Sequence, residues 1–180
     1  MNRSIILAIL ALSISTSFAA SSNLDMSIKA PKGWRIPTAA ELSEPWRLED
    51  PARYAAVRGD FDGNGLIDDA VLVVSTTRMA VGLFVRLSKL KARSAWKKLD
   101  EVIIGPDSTL GSLAIAVATP GSYQVYCNPA ETQLVSCSEE WSGSIVVRHE
   151  ALDYWRFGSS SWLFIWDKNS NCFVRVTQGD

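Results

Sequence analysis

A single histidine, His149, stands in this chain of 180 residues, and its isolation narrows the available chemistry. Any Ser-His or Cys-His nucleophile pair would have to use it. No G-x-S-x-G elbow is present to supply the serine, and glycine-rich phosphate cradles are missing as well. Charge of one sign is also lacking: 18 basic side chains stand against 19 acidic ones. That balance gives no field to draw the chain to nucleic acid or to an anionic membrane. There is no internal repeat, which excludes arrays and propellers built from stacked copies.

The first twenty residues do carry a pattern. Arg3 is followed by an apolar stretch from Ile5 to Leu12 and then by small residues ending in Ser17-Phe18-Ala19. This is the order of a secretory signal peptide, with cleavage expected after Ala19. A spanning helix needs ~20 uninterrupted apolar residues, and Ser13, Ser15, Thr16 and Ser17 interrupt this one. No cysteine follows the apolar run, which argues against a lipid anchor. The expected organisation is a signal peptide over 1–19, a mobile polar arm over 20–30 and a single globular domain over 31–180. The mature chain would be periplasmic or secreted, with no membrane span and no nucleic-acid partner.

Cysteine is scarce too, with three in all: Cys127, Cys137 and Cys172. In an oxidising compartment, "YCNPAETQLVSC" invites a disulfide between Cys127 and Cys137 across a polar excursion. Closing so short a loop contributes about 3 kcal/mol in the chain-entropy model. Cys172 is then left over and reads first as a partly buried small hydrophobe. Intermolecular pairing or a reactive thiol is the alternative.

Thr38 followed by Glu41 is the capping-box pattern of a helix start, and Pro45 should stop that helix quickly. A second short helix or turn is expected around Pro51 to Tyr54. Beyond that point the signal is β. "YAAV", "DAVLVVS", "VGLFVRLS", "SLAIAVAT", "SYQVYC", "GSIVVRH", "SSWLFIWD" and "CFVRVTQ" are short, rich in branched or aromatic residues and bounded by turn formers. "DSTLGSLAIAVATPGS" also suits a buried helix, and "SKLKARSAWKKLDEVI" suits a helical turn. The expected class is α+β, mainly antiparallel sheet with short helices.

The stretch "GDFDGNGLIDDAVLVV", Gly59 to Val74, crowds four aspartates ahead of an apolar run. Counting from Asp60, the acidic or amide side chains Asp60, Asp62, Asn64 and Asp68 occupy positions one, three, five and nine. Gly65 stands at six and Leu66 at seven. This is calcium-loop spacing: alternate side chains turn inward, Leu66 offers its carbonyl, and the glycine takes the sharp left-handed turn. Asp69 is expected to lie behind these ligands or to bond the loop backbone. Magnesium seldom occupies all-protein cages, and zinc would want His or Cys. An EF-hand requires Glu at position twelve, where Val71 stands. A solvated turn without metal is the plain alternative.

On these residues, "RYAAVRGDFDGNGLIDDAVLVV" resembles the strand-loop-strand calcium hairpin of FG-GAP or VCBS-type repeats. The resemblance covers Arg53 to about Val74 and implies Ca2+ held by Asp60, Asp62, Asn64, Asp68 and the Leu66 carbonyl. The single copy departs from those families and removes the propeller. The "RGD" at Arg58 to Asp60 is no adhesion signal if Asp60 holds calcium.

Other groupings are weaker. Cys172 with His149 is conceivable on spacing alone, and His149 beside Arg148 and Glu150 reads first as a surface residue. Glu139, Glu140 and Asp153 are conceivable acids for glycoside hydrolysis, yet read more simply as turn residues. Trp162, Phe164 and Trp166 should share one face of a strand, with Leu163 and Ile165 on the other. Two apolar faces imply a covered, central strand, with a sugar or peptide platform as the alternative. The functional expectation is an exported calcium-binding protein that works as a noncatalytic envelope module toward a protein or glycan, as an inhibitor or immunity protein does. The alternative is a small envelope hydrolase of glycans or peptides.

Overall fold

The computed structural model describes residues 28–47, 53–90, 94–105, 109–127, 141–159 and 161–178. Eleven strands run through them: β1 (Trp34–Arg35), β2 (Ala56–Gly59), β3 (Asp68–Ser75), β4 (Ala80–Arg86), β5 (Trp96–Ile103), β6 (Leu113–Ala118), β7 (Gly121–Cys127), β8 (Trp141–Val147), β9 (Ala151–Arg156), β10 (Ser161–Asp167) and β11 (Cys172–Gln178). Every pairing is antiparallel. In the first sheet, β3 is flanked by β4 on one side and by β1 and β2 on the other, and β5 closes the far edge. The second sheet runs β6-β9-β10-β11-β7-β8.

The α part of the expected class is corrected. Among the described residues helix is limited to single 3-10 turns at Pro45–Arg47 and Leu110–Ser112. Thr38 and Glu41 do form the reciprocal capping bonds, Thr38 N to Glu41 Oε2 at 2.8 Å and Glu41 N to Thr38 Oγ1 at 3.3 Å. They close one turn and no helix follows, since too few residues precede Pro45 to offset the cost of nucleation. Pro45 opens the 3-10 turn instead of ending a helix, a position where its missing N–H costs nothing. The helical alternatives fail as well: Leu113–Ala118 and Trp96–Ile103 are strands.

All eight expected strands form. The "YAAV" strand begins two residues late, because Tyr54 sits in the left-handed region at φ +66°. This kink lets successive carbonyls serve different sheets. Tyr54 O accepts from Ile115 N of β6 at 2.9 Å, and Ala55 O accepts from Leu72 N of β3 at 2.8 Å.

The second sheet curls. Strands β6 and β7 are joined by Thr119 and Pro120 alone, yet β9, β10 and β11 lie between them. A flat sheet would separate them by ~19 Å, whereas this link spans at most ~11 Å. Ala118, Val125, Val147, Ala151, Leu163 and Val176 pack in the hollow of the curl. The other face meets the first sheet: Leu72, Val81, Leu83 and Val85 pack with Leu113, Ile115, Tyr154, Phe164 and Trp166. Thus Leu163 serves one cluster while Phe164 and Trp166 serve the other, with Trp162 packed against it, as a central strand requires. At the far face of the first sheet, Val71, Val73 and Phe84 are covered by Ala30, Trp34, Ile36, Ala56 and Trp96. Ile28 is buried and Trp96 Nε1 donates to Lys29 O at 3.2 Å, so residues 28–30 of the expected arm are packed.

Candidate metal centre

The loop between β2 and β3 turns because Gly63 and Gly65 both adopt positive φ, at +67° and +84°. The chain then folds back on its own carboxylates. Asp60 accepts from the amides of Asn64 and Gly65, each at 2.9 Å, and Asp62 Oδ1 accepts from Asn64 N at 3.1 Å. The result brings carboxylate oxygens of Asp60, Asp62 and Asp68 within 4.8 Å of one another.

Asp68 is the anchor. It is wholly buried, and each oxygen accepts one amide: Phe61 N at 2.9 Å on Oδ2 and Ser88 N at 2.7 Å on Oδ1. Burial pushes its carboxyl up to about 6, and the charges of Asp62 and Asp60 add to the push while the two amides oppose it. Three carboxylates in so small a space repel one another, and a cation relieves that repulsion directly. At such separations one ion can touch an oxygen of each carboxylate.

Of the other expected ligands, Asn64 directs its amide nitrogen to Asp62 Oδ2 at 3.0 Å and Ser88 O at 2.9 Å. Its Oδ1 accepts from Leu66 N at 2.8 Å. Leu66 is half-buried in the loop. Asp69 behaves differently from expectation. It points away from the cluster and lies opposite Arg58 of β2 and Arg86 of β4 in register, pairing with them at 3.0 and 2.6 Å. Strand alternation is the reason, since neighbours on a strand face opposite ways. One of the four crowded aspartates therefore has its own counterions.

Three contributors escaped the sequence reading. Ser88, beyond β4, clamps the loop, its Oγ bonding Ile67 O at 2.6 Å. Glu150, in the turn between β8 and β9, accepts from Asp60 N at 2.6 Å. His149 of the same turn is half-buried against Gly63, where an added Cβ would sit 2.9 Å from its ring. The lone histidine thus buttresses the loop, and its Nδ1 lies 3.0 Å from Glu150 O.

Cys172 opens β11 and is exposed, not partly buried, with Sγ 3.0 Å from Ser170 Oγ. It borders a shallow groove of about 230 Å³ with Lys97, Lys98, Leu99, Phe164 and Phe173, a lining that includes neither His149 nor a carboxylate. Asp153 is half-buried and accepts from Gln178 Nε2 at 2.7 Å; burial raises its pKa. Cys137, Glu139 and Glu140, and with them the proposed disulfide to Cys127, lie outside the described residues, as does the segment 1–19. Among the described residues no helix is long and apolar enough to cross a membrane. The chain matches no protein-family model, no curated protein and no solved structure.

Proposed function

We propose that this is an exported calcium-binding module, its Ca2+ held by Asp60, Asp62, Asn64, Asp68 and the Leu66 carbonyl. The observation that carries the reading is the meeting of three carboxylates within 4.8 Å, one of them fully buried. Asn64 would contribute Oδ1, the oxygen that accepts the Leu66 amide at 2.8 Å. Extracellular loops of this kind bind at ~10⁻⁴ to 10⁻³ M. At ten times the dissociation constant the ion adds about 1.4 kcal/mol of stability, which suits a brace better than a switch. The resemblance to FG-GAP or VCBS-type hairpins supports the same ligand set.

The N-terminal segment supports export to the periplasm or beyond. There the module acts without catalysis, on a protein or glycan of the envelope, as an inhibitor or immunity protein would. Calorimetric titration of chelator-treated protein tests the metal. Asp60→Ala and Asp68→Ala should each abolish measurable calcium uptake, and unchanged uptake in both variants overturns the assignment. A pull-down from envelope extract with and without chelator tests the partner, whose capture is expected in calcium.

A further inference from the structure

The calcium loop belongs to the first sheet, yet its first ligand is held by the second. Glu150 Oε2 accepts the Asp60 amide at 2.6 Å across 90 residues of sequence. The approach is close: a Cβ on Gly59 would lie 2.7 Å from the same oxygen, so the carboxylate rests against bare backbone there. Beside it, the His149 ring lies against Gly63, with Lys168 Nζ 3.3 Å from where a Gly63 Cβ would stand. The β8–β9 turn therefore touches the loop at its first residue and at its tip. The turn itself is fixed by the curl of the second sheet, because β8 and β9 each leave a paired strand end at Val147 and Ala151.

We infer that Glu150 is a positioning residue of the calcium loop: through the Asp60 amide it fixes where the first ligand stands, so that affinity depends on the docking of the two sheets. This rests on the calcium reading above. The effect comes from reach and acceptor geometry, and outer partners of metal ligands typically carry 10–100-fold of affinity.

Two mild substitutions separate reach from charge. Glu150→Gln keeps an oxygen at the same reach and removes the charge, while Glu150→Asp keeps the charge and falls one methylene short. Calcium titration of the full domain should find E150Q within about threefold of the unmodified chain and E150D weaker by roughly tenfold. In the calcium-free state the Asp60 amide resonance should shift upfield in E150D more than in E150Q, a signature that a general loss of stability does not produce. Loss of affinity in E150Q, whatever E150D does, or full affinity in both, overturns the inference and leaves the calcium assignment standing. No uptake by the unmodified chain removes both.

Discussion

The amide of Ser88 donates to Asp68 Oδ1 at 2.7 Å and locks the buried end of the aspartate loop to the exit of β4. With Phe61 N on the other oxygen, the carboxylate is partnered by two amides and, among the described residues, by no basic side chain, and burial pushes its pKa up to about 6. A folded pKa above the unfolded value means that stability is full below the unfolded value and is lost as pH rises through the folded one. Calcium-free protein should therefore lose about 2 kcal/mol between roughly pH 4 and pH 6. Urea unfolding in chelator across that range measures it. Asp68→Asn should flatten the profile, and calcium should restore stability at pH 7 while its affinity falls below about pH 6. A profile unchanged by D68N removes Asp68 as its source.

Asp69 predicts the opposite separation. It is buried between Arg58 and Arg86, whose side chains remain partly exposed, so each pair is screened and worth less than a buried one. Asp69→Asn should cost about 2 kcal/mol in urea unfolding, from weakened charged hydrogen bonds. Calcium affinity should stay within twofold, because this carboxylate faces away from the cluster. Adjacent residues then divide between ion binding and sheet stability, and a large loss of calcium uptake in D69N contradicts the division.

How much was legible follows from range. The loop and its strands are local patterns, and Asp60, Asp62 and Asp68 meet as their spacing implies. Strand β5 misleads because Lys97, Lys98, Asp100 and Glu101 break apolar alternation, and Leu99 is an extra residue opposite Leu83 and Phe84. Strand β9, "ALDYWR", went unread for a similar reason, with Asp153 set between Leu152 and Tyr154. Ser88 and Glu150 reach the loop from 20 and 90 residues away, and nothing in their own surroundings announces it. The curl of the second sheet likewise depends on which strands pair, which no single strand encodes.

The two loop glycines should respond unequally. Both need positive φ, but Gly65 has open space where a Cβ would go, whereas at Gly63 the Cβ meets the His149 ring at 2.9 Å. Gly65→Ala should cost about 1 kcal/mol, the conformational term alone. Gly63→Ala should cost roughly 2 kcal/mol because the β8–β9 turn must also give way. His149→Ala in the G63A background should recover the difference, and a thermal-unfolding cycle reads it. Equal costs at the two glycines would show that the turn does not press on the loop.

Arg47 offers a test of how the sheets are joined near the other end of β2. It is 2% exposed, and its guanidinium donates to the carbonyls of Arg53, Gly111 and Leu113. These acceptors belong to the turn before β2 and to the start of β6, so one planar fork ties both sheets while its plane lies over Trp46 at 4.5 Å. Arg47→Met keeps much of the volume and strands those carbonyls in the interior, at about 3 kcal/mol in urea unfolding. Arg47→Lys should recover only part of that, because a single ammonium cannot reproduce the fork. Ile115 N should also exchange faster in both variants, since its bond to Tyr54 O crosses the junction that Arg47 holds. Faster exchange confined to the first sheet would place the fork's effect elsewhere.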